Sequence, residues 1–227
     1  MTKNVTDQYA DVDFSPLDVF SPDEVVTHSP VRDIRLPSGA VLALITLDNR
    51  RDHRRPNTLG PATLKELHAT LSSLKDRAAA GAIQAVGITG KQYILAAGAD
   101  LSGIPTLDSR ATAKLIAQRG HQVLGMLGEL GVPSFAFVNG LALGGGVEIA
   151  LNSTYRTVDA SAAAIALPEV FLGIIPGWGG STLLPNLIGI ENALEIVISN
   201  SLKQNRTLKP RQAFEYGMFD AIFSPAN

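Results

Sequence analysis

Three consecutive glycines, Gly144, Gly145 and Gly146, constrain the fold of this chain more than any other sequence feature. They follow residues 135–138, an apolar stretch typical of a buried strand, and they precede residues 147–152, which predict a helix. Glycines let the backbone turn sharply, and the free N–H groups of a first helical turn, together with the helix dipole, stabilise negative charge. The sequence therefore predicts a strand–turn–helix unit whose helix start can hold a negatively charged group.

Segments of strand and helix character alternate along the rest of the chain. A hairpin is predicted over residues 31–36 and 41–47, and further strands over residues 85–89, 135–138 and 155–158. Helices are predicted from Gly60 and Pro61 onward, over residues 116–130, and near residues 191–199 and 209–216. The first helix has four leucines on one face: Leu64, Leu67, Leu71 and Leu74. This alternation predicts an α/β fold with mostly parallel strands.

Length and composition predict one main domain. The 227 residues, 45% of them hydrophobic, suffice for one α/β domain with a large core. Residues 1–30 are rich in Asp, Ser, Thr and Pro and show no periodicity, so we expect a flexible lead-in there. The domain is then expected over residues 31–227.

Charge and residue usage exclude several classes of function. Nineteen basic and 21 acidic residues give a net charge of −2, so no global attraction to nucleic acid or to an anionic membrane is expected. There is no cysteine, and the four histidines lack the spacing of metal ligands. No dinucleotide or phosphate-loop fingerprint is present. We therefore expect a cytoplasmic protein that uses no metal and no cofactor.

Two glutamates, Glu148 and Glu169, stand alone in apolar stretches. Glu148 follows the glycines, and Glu169 follows Leu167 and Pro168. A buried carboxylate needs a partner or a chemical role, so each side chain either caps or pairs with a neighbour, or takes part in catalysis. If they converge on one site, such a pair can manage one water and one proton between them.

Two further segments carry weaker signals. Residues 57–59, Asn-Thr-Leu, fit a capped start of the first helix. Residues 95–100, Leu-Ala-Ala-Gly-Ala-Asp, form either a tight loop between strand and helix or a loop whose backbone approaches a ligand closely.

Taken in order, four segments resemble the crotonase (enoyl-CoA hydratase/isomerase) superfamily. They are residues 57–59, the Ala-Gly-Ala-Asp of residues 97–100, the Asn-Gly-x-Ala-x-Gly-Gly-Gly-x-Glu of residues 139–148, and residues 168–180. The resemblance covers roughly residues 41–223. The chain is particularly similar to the hydratase portion of multifunctional fatty-acid oxidation enzymes, through residues 167–169 and 192–196. It implies a ββα-repeat spiral fold, here expected without the C-terminal helical segment of the family.

The resemblance also implies a substrate and roles for individual residues. The substrate is an acyl-CoA thioester, so coenzyme A belongs to the substrate. Its thioester oxygen is expected to bind two backbone N–H groups, of Ala97 and Gly145. Glu148 is expected to orient and deprotonate water, and Glu169 to donate a proton to the α-carbon of an enoyl-CoA. The residues expected to contact substrate are Ala96, Gly98, Ala99, Asp100, Leu59, Gly144 and Gly177.

Three points stay open at the level of sequence. Two retained carboxylates favour a hydratase, but a double-bond isomerase or another acyl-CoA enzyme of the superfamily is an alternative, and so is an inactive homologue with a role in assembly. The arginines of residues 50–55 either contact the phosphates of coenzyme A or form a solvated loop. The family resemblance implies a homotrimer or a hexamer.

Overall fold

The computed structural model describes residues 12–17, 21, 23–103 and 109–224, which form two packed β-sheets with helices around them. The larger sheet has six strands in the order β1-β2-β3-β5-β7-β9, and the smaller has three in the order β4-β6-β8. The strands of the large sheet are β1 (Val31–Arg35), β2 (Val41–Leu47), β3 (Ala85–Gly90), β5 (Ser134–Val138), β7 (Tyr155–Asp159) and β9 (Ala221–Phe223). Those of the small sheet are β4 (Tyr93–Ala96), β6 (Gly140–Leu143) and β8 (Ile165–Ala166).

The large sheet confirms the predicted hairpin and the parallel arrangement. Strands β1 and β2 are antiparallel, with Val31 opposite Ile45, and each later neighbour in the sheet pairs in parallel. Along β2 and β5, alternate residues are fully buried, as expected for strands with one face on the core. The predicted strands at residues 85–89, 135–138 and 155–158 all lie in this sheet.

The small sheet arises because the chain crosses from one sheet to the other at each repeat. Strand β3 is followed by β4, β5 by β6, and β7 by β8, and each pair is followed by a helix. The order β4-β6-β8 therefore copies the order β3-β5-β7 of the large sheet. This repetition is the ββα-repeat spiral that the resemblance predicted, and the α/β class and repeat are confirmed.

Each predicted helix is present, but the helix predicted over residues 116–130 begins and ends earlier, and one further helix begins at residue 180. They are α1 (Pro61–Ala79), α2 (Arg110–Gly125), α3 (Gly145–Asn152), α4 (Gly180–Ile188), α5 (Ile190–Leu194), α6 (Asn200–Leu202) and α7 (Pro210–Glu215), and a π-helical turn, Glu195–Ser199, joins α5 to α6. The four leucines of α1 are buried, as its periodicity predicts. Helix α2 ends earlier than expected, in the 3₁₀ turn Met126–Gly128. Helix α4 was not predicted, because Pro185 and two glycines at its start disguise it.

Part of the segment predicted as a flexible lead-in is packed. Phe14 and Leu17 are buried in the core, and Thr27 is fully buried against the start of α1. For residues 12–17 and 23–30 the structure therefore differs from the prediction, because their contacts with α1 and α2 lie too far apart in sequence for a local pattern to reveal them. Ser21 is also buried, and the other residues of the predicted lead-in lie outside the described residues. Among the described residues, no helix has both the length and the apolarity needed to cross a bilayer.

Candidate active site

The three strands of the small sheet all end at one edge, and the predicted site residues follow these ends. Strand β4 leads into residues 97–100, β6 leads into Gly144 and α3, and β8 leads into residues 167–169. Because the strands are parallel, their carboxyl ends meet at the same edge of the sheet, where α/β proteins commonly bind ligands. The predicted catalytic loops are thus brought together by the small sheet and not by β7, which lies between the two glutamates in sequence.

The glycines begin α3 and leave one N–H group free. Gly144 has φ 50° and ψ −120°, and its N–H donates to Ala166 O over 2.9 Å. A Cβ at this position would also lie 2.7 Å from Glu169 Oε1, so glycine is required here for both conformation and space. The N–H of Gly145, the first residue of α3, has no hydrogen-bond partner in the described part of the chain. The predicted donor Gly145 is therefore available.

The predicted second donor, Ala97, is not available. Its N–H donates to Asn57 O over 2.8 Å, because residues 57–59 pair with this loop. The assignment of Ala97 as an oxyanion donor is therefore wrong for this structure. Two residues further on, the N–H of Ala99 has no hydrogen-bond partner among the described residues. Gly98 lies beside α3, where an added Cβ would stand 3.5 Å from Gly145 N.

Of the other predicted contact residues, Ala96 and Leu59 are buried, and Asp100 forms hydrogen bonds within its own turn. Ala96 is buried at the end of β4, directly below Gly146. Asp100 uses its carboxylate within its own turn, where it accepts from Ser102 N and Oγ, both over 2.9 Å. Leu59 is buried, with its side chain against Gly145. These placements supply the walls of the site, and their contact with a substrate stays a prediction.

Glu148 lies in the first turn of α3 and is only 2% exposed. Its Oε1 accepts two backbone hydrogen bonds, from Trp178 N and Gly180 N, each 2.8 Å long. Burial raises the pKa of Glu148 to about 7, although the two N–H donors lower it by favouring the charged form. The structure thus gives Glu148 backbone partners but no ion pair among the described residues.

Glu169 begins the 3₁₀ turn Glu169–Leu172 and is 9% exposed. Burial, followed by the negative charge of Glu148, raises the pKa of Glu169 to about 7. Its Oε2 is buried and has no hydrogen-bond partner in the described residues. A buried oxygen without a partner is costly, which is common at sites that bind a ligand or water. The negative charge of Glu148 thus couples the ionisation of Glu169 to that of Glu148, while a joint role of the two carboxylates in catalysis stays a prediction.

Trp178 completes the site, and sequence reasoning missed it. Its indole lies between α2 and α3, so close that a Cβ on Gly120 or on Gly145 would overlap the ring. The backbone N–H groups of Trp178 and Gly180 both donate to Glu148 Oε1. The predicted contact residue next to it, Gly177, is exposed and stays a prediction. The pairing of Gly120 with the single tryptophan could not be inferred from sequence, because the two residues lie on separate elements.

Asn57 is a buried connector rather than the cap of α1. Its Nδ2 donates to Leu47 O over 2.8 Å and to Leu95 O over 3.0 Å, and its Oδ1 accepts from Asn49 N over 3.0 Å. The N-cap of α1 is Gly60, which has no side chain to serve as a cap. The predicted helix cap at residues 57–59 is therefore wrong, and Asn57 instead ties the ends of β2 and β4 together.

Replacing Asn57 by alanine is expected to destabilise the fold by about 2 kcal/mol, because three hydrogen bonds to buried backbone groups are lost, although one of these groups, Leu47 O, keeps a second donor in Lys91 N. Urea unfolding measures this free energy. Asn192→Ala is the matched control. Asn192 is exposed, and among the described residues its Nδ2 donates to Ile188 O alone, so a loss below about 0.5 kcal/mol is expected. Equal losses for the two variants would contradict the connecting role.

The arginines of the loop before α1 are all exposed. Lys91 holds this loop in place: its Nζ donates to Asn49 Oδ1, Arg51 O and Asp52 O. A cavity of about 480 Å³ lies between Arg50 and Arg51 on one side and residues 23–26 and 28 on the other. The arginine loop is thus ordered and next to a cavity, while its contact with phosphate stays a prediction. Within the described residues, no group of three or more acidic or histidine side chains could hold a metal ion.

Known proteins resemble this chain in both sequence and structure. The model of the enoyl-CoA hydratase/isomerase family matches residues 38–227. The fatty acid oxidation complex subunit alpha of Shewanella amazonensis is 34% identical over 183 residues, which are 80% of this chain and 24% of that protein. The chain thus spans about a quarter of the length of the curated relatives that it matches.

Solved structures give the same result. The enoyl-CoA hydratase of Bacillus anthracis superposes with a TM-score of 0.73 at 29% identity, covering 87% of this chain and 70% of that one. Pseudomonas aeruginosa DspI gives a TM-score of 0.72 at 27% identity, covering 86% and 73%. The chain belongs to the enoyl-CoA hydratase/isomerase family, within the crotonase superfamily.

Proposed function

We propose that this chain is an enoyl-CoA hydratase, which adds water across the double bond of a trans-2-enoyl-CoA in fatty-acid oxidation. The observation that carries the proposal is the pair of buried glutamates, each with a pKa near 7, beside free backbone N–H groups. The names of its relatives, fatty acid oxidation complex subunit alpha and enoyl-CoA hydratase, support it.

In the proposed reaction the thioester oxygen accepts hydrogen bonds from Ala99 N and Gly145 N. These donors stabilise the negative charge that develops on the oxygen as the enolate forms, an effect typically worth ~3 kcal/mol for one donor. Ala99 replaces Ala97 as the second donor, because the Ala97 N–H donates to Asn57 O, whereas the Ala99 N–H has no partner among the described residues. The start of α3 adds its dipole to that of the Gly145 N–H.

Each of the two glutamates then transfers one proton. Glu148 removes a proton from the water, whose oxygen bonds to the β-carbon, and protonated Glu169 delivers its proton to the α-carbon. The two N–H bonds to Glu148 favour its charged form, and the unpartnered, charge-repelled Oε2 of Glu169 favours its neutral form. Net addition of water is complete once the proton on Glu148 returns to Glu169 through solvent.

Two partners are part of the proposal. The arginine loop, held by Lys91 and next to a cavity, is proposed to bind the phosphates of coenzyme A. A trimer or hexamer is proposed because the segment after Glu169 exposes Phe171, Leu172, Ile174 and Ile175, a patch that solvent disfavours.

The purified chain is expected to hydrate crotonyl-CoA, which is followed by the loss of enoyl absorbance. The competing reaction is tested with a 3-enoyl-CoA, whose conversion to the conjugated 2-enoyl product raises that absorbance. Conversion of the 3-enoyl-CoA without any hydration would show an isomerase instead. Absence of both reactions, in a folded protein that still binds acyl-CoA, would favour the inactive homologue.

A further inference from the structure

We propose that Glu24 is a positioning residue for the second oxyanion donor, Ala99; this inference rests on the proposed function. Glu24 contacts no reacting atom in the proposed mechanism. It fixes the first turn of α1, and through residues 57–59 it fixes the loop that carries Ala99.

The carboxylate of Glu24 caps α1 from a distant part of the chain. Its Oε2 accepts from Ala62 N over 2.8 Å, and its Oε1 accepts from Thr63 N over 2.9 Å and from Thr63 Oγ1 over 2.6 Å. The N-cap Gly60 and the following Pro61 offer no side-chain cap of their own. A negative charge at a helix start also interacts favourably with the helix dipole.

Glu24 and Gly60 fit each other closely. A Cβ on Gly60 would lie 2.3 Å from Glu24 Cδ, so any larger residue at position 60 would displace the carboxylate. The conformation at Gly60 is extended, which every residue adopts, so backbone strain gives no reason for glycine here. The glycine is therefore best explained by the room that the Glu24 carboxylate needs.

A second contact joins the same segments. The N–H of Thr27 donates to Thr63 Oγ1 over 2.9 Å, and its hydroxyl donates to Thr58 O over 2.8 Å. Thr63 Oγ1 therefore accepts from Thr27 while it donates to Glu24. Because Thr27 and Thr63 are both fully buried, this network replaces water at the start of α1.

The start of α1 is joined directly to the oxyanion loop. Leu59 N donates to Gly98 O over 2.9 Å, and Asp100 N donates to Leu59 O over 3.1 Å, so Ala99 lies between two backbone hydrogen bonds. The side chain of Leu59 also packs against Gly145, the other donor. Donor geometry matters at the scale of about 0.5 Å for catalysis, so loosening residues 57–59 is expected to weaken the oxyanion hole.

The test compares Glu24→Ala, Glu24→Gln and Glu66→Ala. Glu66 is the matched control, because it also binds the segment before β1 to α1: its Oε1 accepts from Ser29 N over 2.8 Å and its Oε2 lies 2.9 Å from His28 Nδ1. No hydrogen bond of the described residues joins Glu66 to residues 57–59. Both alanine variants therefore lose hydrogen bonds between the segment before β1 and α1. Only Glu24→Ala loses the hydrogen bonds at the start of α1, next to the oxyanion loop.

We expect Glu24→Ala to lower kcat for hydration about tenfold, with KM changed less than about twofold, because the loss falls on charge that develops in the transition state. Glu24→Gln, which keeps one acceptor oxygen, should recover part of kcat. Glu66→Ala should keep kcat within about twofold while losing a similar amount of stability in urea. An unchanged kcat in folded Glu24→Ala, or an equal loss in Glu66→Ala, overturns the proposal.

Amide hydrogen exchange decides the same question without the reaction. Peptides covering residues 57–63 and 95–100 are expected to exchange faster in Glu24→Ala than in Glu66→Ala. If the parent protein hydrates no enoyl-CoA, the proposed function fails, and the exchange data still report whether Glu24 holds the loop. Equal exchange of these peptides in both variants refutes the positioning role.

Discussion

Glu169→Gln is expected to lower kcat for hydration by about 10³-fold, and Glu148→Gln by a similar factor, because each removes one of the two proton transfers. Neither change should disturb the fold. A glutamine at position 148 can still offer one carbonyl oxygen to Trp178 N and Gly180 N, and Glu169 Oε2 has no partner to lose within the described part of the chain. Steady-state hydration of crotonyl-CoA, with circular dichroism of each variant, measures the effect.

The dependence of the rate on pH gives an independent reading of the same pair. Hydration as proposed needs Glu148 ionised and Glu169 protonated, and burial raises the pKa of both to about 7. The profile of kcat/KM is therefore expected to be bell-shaped with its maximum near neutral pH, and its two limbs belong to the coupled pair rather than to either residue. In Glu169→Gln the residual rate should lose the alkaline limb, since no acid remains to be deprotonated.

Glu191→Gln serves as the matched control for these variants. Glu191 is an exposed carboxylate in the first turn of α5, outside the proposed site. The hydration rate of Glu191→Gln should therefore equal that of the parent. Should either Glu148→Gln or Glu169→Gln keep more than about half of the parental rate, the assigned acid and base would both have to be abandoned. A loss in Glu191→Gln would instead point to a general effect of charge.

Sequence patterns predicted the long elements of this fold and the strands of the large sheet that lie between them, but failed on the short strands β6 and β8. The four leucines of α1 and the alternation in β2 reflect burial along 19 and seven residues, long enough for a period to be visible. Strands β6 and β8 have four and two residues, too few for any period, so the small sheet that gathers the site could not be recognised. The resemblance predicted the repeat, but periodicity did not.

The errors within the site have one common physical cause. Local propensity predicted that Asn57 caps a helix, and the resemblance implied that Ala97 donates to a ligand. Instead, Asn57 Nδ2 donates to Leu95 O, 38 positions away, and Ala97 N donates to Asn57 O. The true cap of α1 comes from Glu24, at a similar separation. Local propensity describes what a residue does with its neighbours in sequence, whereas these hydrogen bonds are set by which loops the small sheet brings together.

The buried glutamates also make the stability of the fold depend on pH. A carboxyl whose pKa is raised from 4.5 to about 7 binds its proton more tightly in the folded state. The contribution of this carboxyl to the free energy of unfolding is fully present below pH 4.5. It is lost as pH rises through 7, because the carboxyl then ionises freely in the unfolded chain, whereas the folded chain must bury its charge. A shift of this size corresponds to about 3 kcal/mol at pH 8.

Glu169→Gln is therefore expected to raise the free energy of unfolding by about 3 kcal/mol more at pH 8 than at pH 4. The difference between the two pH values is the informative quantity, since the buried amide of glutamine has its own desolvation cost, which does not vary with pH. Urea unfolding at both pH values measures it. Glu191→Gln should show no such difference, because an exposed carboxylate stays hydrated in both states.

The same substitution thus separates stability from catalysis at one residue. If replacing Glu169 abolishes hydration, and if its carboxyl destabilises the fold only at pH values at which it ionises, then Glu169 serves the chemistry and not the stability of the fold. If Glu169→Gln were instead less stable than the parent at pH 8, the Oε2 atom would have a partner in solution. The coupled pair would then be an ordinary structural network, and the acid role of Glu169 would lose its physical basis.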